Sequence, residues 1–341
     1  MNNINFKRDL NLNKQIVVLD GLTGSGKTML GPLLSSFDRM QSGRFEYIFE
    51  YLSIAHYFNK IEDDALCSIL KLHADVKLFD GMFSREVNFR PSDLSSIFKG
   101  GKAKQYLMQL FTKDIDDVNV KIEKNKPILF LIMHQSLLCM QGMFDTFKEK
   151  LSVIEIVRHP IYLIDQWVSY INNYGTNSRD FTIWISYKGK SLPWFSKGIE
   201  KEYAESKGYD RVIYSIENLY KNIFKLIENP SENKIMFIPF EQFVKKPFSF
   251  IKELEFFLKT KHTKNSLKIL KKENLPRKSI NDIPQRNIYK RYALKEYSSK
   301  TSDEEHYNFL WGKIKARCST KTYKKLYDLS NQYEKIYGSW F

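Results

Sequence analysis

Residues Ile16 to Leu30 read IVVLDGLTGSGKTML, and this stretch decides the fold of the chain. Its first four residues are apolar and mostly β-branched, which predicts a short buried strand. The segment from Gly21 to Thr28 matches the phosphate-loop pattern G-x-x-x-x-G-K-[ST] at every fixed position. Apolar residues then recur at helical spacing. The stretch therefore predicts a strand, a glycine-rich loop and a helix, in the order that phosphate binding needs.

Such a loop turns backbone N–H groups inward around a phosphate, and the N-terminus of the following helix adds partial positive charge. Lys27 would reach the outer phosphates of a nucleotide. Thr28 would hold Mg²⁺ in a nucleotidase, or bond a phosphate oxygen where no metal is used. The candidate nucleotide-binding residues of the loop are Gly24, Ser25, Gly26, Lys27, Thr28 and Met29.

The composition of the 341-residue chain favours anionic partners. It has 54 Lys and Arg against 39 Asp and Glu, a formal net charge of +15. Such an excess suits nucleotides, sulfated or phosphorylated substrates, nucleic acid or an anionic membrane surface, although a solvated lysine-rich surface would also account for it. The hydrophobic fraction of 43% is enough for a sizeable core.

The cysteines and the termini predict a cytoplasmic protein. Cys67, Cys139 and Cys318 are widely spaced, form no metal-binding pattern and cannot all pair, which indicates a reducing compartment. The polar N-terminus lacks the apolar core of a secretory signal. No stretch reaches the ~18 apolar residues of a membrane span. We therefore expect a soluble protein without a metal site.

Apolar runs alternate with helical segments along the chain. This alternation predicts an α/β fold, a phosphate-loop-type three-layer sandwich whose central, mainly parallel sheet is flanked by helices, with a helical C-terminal extension. Further strands are predicted at 128–133, 153–157 and 234–240, with a short candidate at 77–79 and either a strand or a site-lining segment at 45–50.

The chain divides into three parts. We expect a polar lead-in over 1–13, the α/β domain over 14–260, and a basic, mostly helical extension over 261–341 that packs on or near the nucleotide site. Within the extension, 259–300 is weakly patterned and is predicted to be extended, whereas 302–336 is predicted to form terminal helices. Other predicted helices cover 65–72, 137–147, 161–170, 206–229 and 248–258, and a loop or lid covers 172–187.

Ligands of open parallel sheets bind beyond the carboxyl ends of the strands. Gly21, His134 and Arg158 each follow a predicted strand directly, so we expect all three at the same edge. A nucleotidase with this loop needs an acidic residue at the end of a neighbouring strand to hold Mg²⁺. That carboxylate is not visible, because Glu155 lies mid-strand and Asp20 precedes the loop.

Three segments resemble the sulfotransferases that use 3′-phosphoadenosine-5′-phosphosulfate (PAPS), a family with a phosphate-loop fold that generally needs no metal. Gly24 to Leu30 looks like its 5′-phosphosulfate loop, commonly R-S-G-T-T-L-L. Val157 to Pro160 looks like its 3′-phosphate motif, an arginine after a strand, then x-Pro and a helix. Lys234 to Leu258 looks like its late strand, acidic turn and helix. The resemblance covers roughly residues 15–258 in the same order and spacing.

The resemblance implies a role for each matching residue. His134, at 158 − 134 = 24 residues before Arg158, matches the histidine that serves as general base. Lys27 would stabilise charge on the leaving phosphate, and Arg158 would bind the 3′-phosphate. The family's serine eight positions after this arginine is replaced by Gln166; Gln166, or Ser169 three residues further, could contact the same phosphate.

The loop also departs from the family. Gly24 stands where many relatives have arginine, and Lys27 stands where they have threonine, which moves the loop toward one that binds a nucleoside triphosphate. Arg277-Lys278-Ser279 is similar to the family's R-K-G nucleotide contact, but the glycine is missing, so we leave this segment out of the predicted site.

Three functions follow from these residues. The first is transfer of a sulfonate group from PAPS to a hydroxyl or amine of a small-molecule or carbohydrate acceptor, bound by the aromatic-rich segments 45–60, 79–92 and 170–195. The second is a Mg-dependent NTPase or small-molecule kinase that uses ATP or GTP. The third is a nucleic-acid or anionic-surface binding protein, although no recognition motif supports it and no nucleic-acid partner is expected.

Overall fold

A five-stranded parallel sheet forms the centre of the molecule in the computed structural model, which describes residues 4–93, 95–112, 118–176, 180–230, 232–282 and 301–339. The strands of the described chain are β1 (Ile16–Asp20), β2 (Arg44–Phe45), β3 (Leu129–Ile132), β4 (Leu151–Val157), β5 (Trp184–Tyr187), β6 (Lys190–Pro193) and β7 (Ile235–Pro239). The sheet has the order β2-β3-β1-β4-β7, and all its strand pairs are parallel. Strands β5 and β6 form a separate antiparallel hairpin.

Every residue of β1, β3 and β4 is buried. Because successive side chains of a strand point to opposite faces, complete burial means that both faces of the sheet are covered. The helices that surround it are α1 (Lys27–Ser35), α2 (Tyr47–Tyr57), α3 (Asp63–Met82), α4 (Ala103–Gln109), α5 (Val118–Asn125), α6 (Gln141–Phe147), α7 (Ile164–Asn172), α8 (Glu200–Glu205), α9 (Gly208–Glu228), α10 (Phe240–Lys245), α11 (Pro247–Leu258), α12 (Lys264–Lys272), α13 (Asp303–Lys315) and α14 (Thr320–Tyr337).

The predicted α/β sandwich with a helical C-terminal part is confirmed, as are the strands predicted near 128–133, 153–157 and 234–240. The first two runs form β3 and β4, which are fully buried in the sheet interior and satisfy both the local preference for a strand and the requirement for burial on two faces. The third forms β7, the edge strand beside β4, and is only partly buried.

The strand prediction for 77–79 was wrong, and of the two alternatives for 45–50 the strand was wrong for all but Phe45. Only Phe45 of the segment 45–50 lies in a strand, and the chain enters α2 at Tyr47. Segment 77–79 lies inside α3. Short apolar runs do not distinguish a strand from a buried helix, and here the helical spacing of the buried residues decides. The buried stripe of α3 is Leu66, Leu70, Ala74 and Leu78.

The prediction of an extended segment over 259–300 is wrong for its first part. Lys264 to Lys272 form α12, which begins with a capping box between Thr263 and Ser266 and packs against α1. Residues 283–300 lie outside the described part of the chain. The predicted terminal helices are confirmed as α13 and α14, and both pack against the turn Pro160–Tyr162 that follows β4.

No described helix combines the length and the apolar character that crossing a membrane would require.

Candidate functional site

The glycine loop connects β1 to α1 and is held close by neighbouring side chains. The backbone φ angles of Gly24 and Gly26 are +91° and +118°, values that residues with a Cβ rarely adopt. A Cβ on Gly26 would lie 2.6 Å from Cδ2 of Phe240, and one on Gly24 would collide with the side-chain amide of Gln166. Glycine is therefore required at both positions, by backbone conformation and by contact.

Lys27 lies at the start of α1 with its side chain folded over its own loop. Its Nζ donates hydrogen bonds to the carbonyl oxygens of Gly21 and Leu22, the second at 3.2 Å. Burial lowers the pKa of Lys27, while the negative charges of Asp20 and Glu155 act in the opposite direction. The ammonium group must leave these carbonyls before it can contact a bound phosphate.

Two carboxyl groups lie side by side beneath the loop. Asp20 on β1 and Glu155 on β4 are register partners across the parallel strands, and both side chains are buried. Burial raises the pKa of Asp20 and raises that of Glu155 well above its ordinary value. Asp20 Oδ2 accepts hydrogen bonds from the backbone N–H groups of Ser136 (2.6 Å) and Leu137 (2.7 Å), which fixes the turn after β3.

Arg158 follows β4, as predicted, and contacts the loop. Its Nη1 donates a hydrogen bond of 2.9 Å to the carbonyl oxygen of Gly24. The guanidinium lies over the Phe240 ring at 4.5 Å and over the Tyr162 ring at 5.5 Å from the centroids. Its Nε has no hydrogen-bond partner among the described residues. The arginine is thus fixed beside the loop with donor capacity left over.

Helix α7 brings Gln166 to the same place. Its amide lies against Gly24, so Gln166 and Arg158 contact the same loop residue. The next residue, Trp167, is fully buried and donates from Nε1 to the carbonyl oxygen of Thr23 at 2.8 Å. Ser169 lies nearly one turn further along α7, where its carbonyl accepts a hydrogen bond from Asn173. The structure therefore joins Arg158, Gln166 and the loop.

Arg277, which is not among the predicted site residues, lies beside the glycine loop. It is 6% exposed, its Nη2 lies 3.8 Å from Sδ of Met29, and its guanidinium lies 6.0 Å from the centroid of Phe240. Phe240 therefore has two arginines against it, Arg158 and Arg277, and itself packs on Gly26. The available signal was the R-K-S tripeptide, which lacks the glycine of the family motif.

His134 follows β3, as predicted, and is paired with a carboxylate. Its Nδ1 lies 2.9 Å from Oε1 of Glu50, and the Phe45 and Tyr47 rings stack on the imidazole at 5.3 and 5.9 Å between centroids. Glu50 falls in the segment 45–60 that was predicted to line the acceptor pocket, but it was not predicted as a partner of His134. Helical spacing of the buried residues of α2 was the signal that could have identified it.

Two of the three predicted acceptor-binding segments meet near His134. Tyr47 stacks on Tyr51 and packs against Phe181, with centroid distances of 5.9 and 5.4 Å. The Tyr51 hydroxyl donates to the carbonyl oxygen of Phe181 at 2.8 Å. Segments 45–60 and 170–195 thus form one aromatic wall beside the histidine. The third segment, 79–92, supplies Phe79, whose ring contacts Phe83 and Arg85.

The C-terminal helix α14 is hydrogen-bonded to the segment that follows Arg158. His159 is fully buried, with its Nε2 lying 3.3 Å from Oε1 of Glu334 on α14. Its backbone N–H donates to Glu241, whose other oxygen accepts from Tyr333 of α14 at 2.6 Å. Burial lowers the pKa of His159, so the neutral ring is favoured at this contact.

No protein-family model and no curated protein sequence matches this chain. The solved structures that its structure resembles include the following three sulfotransferases. The sulfotransferase domain of the Synechococcus PCC 7002 olefin synthase shares 10% identity, over 96% of this chain and 97% of that one, with a TM-score of 0.42. The sulfotransferase domain of the curacin biosynthetic pathway shares 13% identity, over 94% of this chain and 99% of that one, with a TM-score of 0.43. Sulfotransferase STF9 from Mycobacterium avium shares 11% identity, over 96% of this chain and 78% of that one, with a TM-score of 0.42. These values are too low to assign the chain to a family.

Proposed function

We propose that this protein transfers a sulfonate group from PAPS to a hydroxyl or amine of a small-molecule or carbohydrate acceptor. One observation carries the proposal: two arginines, Arg158 and Arg277, lie beside the glycine loop and contact one ring, Phe240, that packs on the loop. A donor with phosphates on both its 3′ and 5′ positions needs a second anion site next to the loop, which a nucleoside triphosphate does not.

The donor would be held by the two sides of this arrangement. The N–H groups of the loop from Gly24 to Met29, with Lys27 and the hydroxyl of Thr28, bind the 5′-phosphosulfate. Arg158 and Gln166, both in contact with Gly24, bind the 3′-phosphate, and Ser169 and Arg277 complete that side. The fixed planar guanidinium of an arginine suits bidentate recognition of phosphate oxygens.

His134 would act as the general base. As the acceptor oxygen or nitrogen attacks sulfur, its proton passes to Nε2 of His134. The bond between sulfur and the bridging oxygen of the 5′-phosphate breaks, and the electron pair stays with the phosphate of the departing 3′-phosphoadenosine-5′-phosphate (PAP). Lys27 moves from the loop carbonyls to this developing negative charge, where an electrostatic contact lowers the barrier most.

The competing function is a Mg-dependent kinase or NTPase that uses ATP or GTP, and the complete G-K-T loop favours it. The environment of Asp20, the carboxylate at the end of β1, is an argument against this function. Asp20 accepts two backbone N–H bonds of the turn after β3 through Oδ2, and burial raises its pKa, which disfavours the charged form that a metal ion requires. We also propose a cytoplasmic location, because Cys67, Cys139 and Cys318 are all unpaired, as is usual in a reducing compartment.

The test compares two ligands in thermal unfolding. A ligand that binds only the folded state raises the midpoint by mass action. We expect PAP, without metal, to stabilise the wild type and Arg90→Ala, a control at an exposed arginine with 79% of its side chain accessible. Arg158→Ala is expected to lose the effect. Stabilisation by Mg-ATP alone, unchanged in Arg158→Ala, would show that the protein is a kinase or NTPase instead.

A further inference from the structure

The buried carboxylate of Glu50 is hydrogen-bonded to His134, the proposed base. Only 9% of the Glu50 side chain is exposed, against 27% for His134, and Glu50 Oε1 lies 2.9 Å from His134 Nδ1. The two residues are 84 positions apart, so the pairing is made by the fold. Polar groups with this degree of burial are costly unless they are hydrogen-bonded, and the imidazole supplies the bond.

We infer that Glu50 is a positioning residue for His134 in the proposed reaction; this inference rests on the proposed function. An ionised carboxylate only accepts hydrogen bonds, so Nδ1 of His134 must carry the proton of this contact. The neutral ring then keeps its lone pair on Nε2, where a base needs it. When Nε2 takes the acceptor's proton, the same carboxylate stabilises the imidazolium that forms.

The ring is also held in orientation. Phe45 and Tyr47 stack on the imidazole with interplanar angles of 17° and 7°. Together with the hydrogen bond from Nδ1, these contacts restrict rotation of the ring and leave Nε2 as the remaining nitrogen for an acceptor. Precise placement of a catalytic group is worth large factors in rate, because small misplacements are penalised steeply.

A helix N-terminus and charged side chains surround Glu50. It lies in the first turn of α2, where the partial positive charge of a helix N-terminus stabilises an anion. The charges of Lys27 and Asp20 both interact with the charge of Glu50, the first with the opposite sign and the second with the same sign. Tyr47 and Tyr51 flank it on its own helix. Glu50 thereby links the base electrostatically to the lysine of the nucleotide loop.

Glu50→Gln and Glu50→Leu separate charge from shape. The glutamine keeps an acceptor for Nδ1 but removes the negative charge; the leucine removes both. Glu46→Gln is the matched control, since Glu46 lies just before α2 but its carboxylate is 3.6 Å from both His73 and Lys77. The double variant Glu50→Gln with His134→Ala tests whether Glu50 acts through the histidine.

The first readout needs no substrate. Nitrogen NMR of the ligand-free protein is expected to show the neutral His134 ring protonated on Nδ1 in the wild type and in Glu46→Gln. In Glu50→Leu we expect the Nε2-protonated form to appear. A wild-type ring protonated on Nε2 would overturn the inference, whether or not the protein transfers sulfonate.

The second readout is the rate of sulfonate transfer against pH. Removing a nearby negative charge should lower kcat by about 10- to 100-fold in Glu50→Gln, with the KM for PAPS changed less than about twofold and the acidic limb moved to lower pH. In the His134→Ala background, Glu50→Gln should have no further effect. An unchanged kcat and pH profile in a folded Glu50→Gln protein would overturn the inference. No transfer by the wild type would overturn the proposed function and the catalytic role with it, while the NMR result would still establish or refute the pairing.

Discussion

Arg158 donates a hydrogen bond of 2.9 Å to the carbonyl oxygen of Gly24, which lies 134 positions earlier in the chain. This bond places the arginine of one predicted phosphate site directly against the loop of the other. Phe240 strengthens the arrangement, because its ring contacts Arg158 at 4.5 Å and would meet a Cβ on Gly26 at 2.6 Å. The two halves of the proposed bisphosphate site are therefore in direct contact.

Arg277→Gln should weaken binding of PAP more than binding of AMP, which lacks the 3′-phosphate. A charge-assisted hydrogen bond contributes about 1.5–3 kcal/mol, so we expect a loss of roughly 10- to 100-fold for PAP. Isothermal titration calorimetry measures both affinities. Lys278→Gln, at the exposed neighbouring position, is the control and should bind both ligands like the wild type. An equal loss for PAP and AMP would place Arg277 outside the 3′-phosphate site.

Gly26→Ala should destabilise the protein by about 1–3 kcal/mol and abolish nucleotide binding, because the new Cβ meets the Phe240 ring in a backbone conformation that suits glycine. Urea unfolding gives the change in free energy. Gly189→Ala is the matched control: its φ is +75°, and no atom lies within 4 Å of its Cβ position. It should show only the cost of backbone strain. Adding Phe240→Leu should recover part of the stability of Gly26→Ala; no recovery would mean that the ring is not the obstacle.

Glu155→Gln should maintain or raise stability at neutral pH. Burial raises the pKa of Glu155 well above 4.5, so its folded state binds more protons than the unfolded state. Such a carboxyl group destabilises the fold increasingly as the pH rises above its unfolded pKa. The advantage of glutamine should therefore be largest near pH 7 and vanish below about pH 4.5, as measured by urea unfolding at several pH values. A lower stability of the variant at pH 7 would show that Glu155 is ionised and paired.

His306 should make the wild type lose stability in mild acid. Burial, with a smaller contribution from the positive charge of Arg158, lowers the pKa of His306 from 6.5 to about 4. A base with a depressed pKa contributes stability that is present above its unfolded pKa and is lost as the pH falls from 6.5 toward 4.

His306→Gln should consequently show a shallower decline of unfolding free energy over this range than the wild type. The decline should be reduced rather than removed, because burial also lowers the pKa of His159. His262→Gln, a change at a more exposed histidine, serves as the control and should follow the wild type. Parallel curves of unfolding free energy against pH for His306→Gln and the wild type would contradict a lowered pKa for His306.

The sequence predicted the parts of the site that depend on local pattern. The strand–loop–helix of Ile16 to Leu30 is fixed by its glycines and by the apolar residues on either side. The positions of His134 and Arg158 followed from one topological rule, that parallel strands end at the same edge. Where the apolar pattern was short, as at 77–79 and in the strand alternative for 45–50, it predicted a strand for residues that are helical.

By itself, then, the sequence determined the parallel sheet, the glycine loop and the residues that follow its strands, because hydrophobic periodicity and glycine geometry act over a few neighbouring residues. Only the tertiary structure decided which distant residues complete the site. Glu50 reaches His134 across 84 positions, His159 reaches Glu334 across 175, and Arg277 reaches Met29 across 248. Such partners are selected by the packing of whole helices against the sheet, which no local pattern specifies.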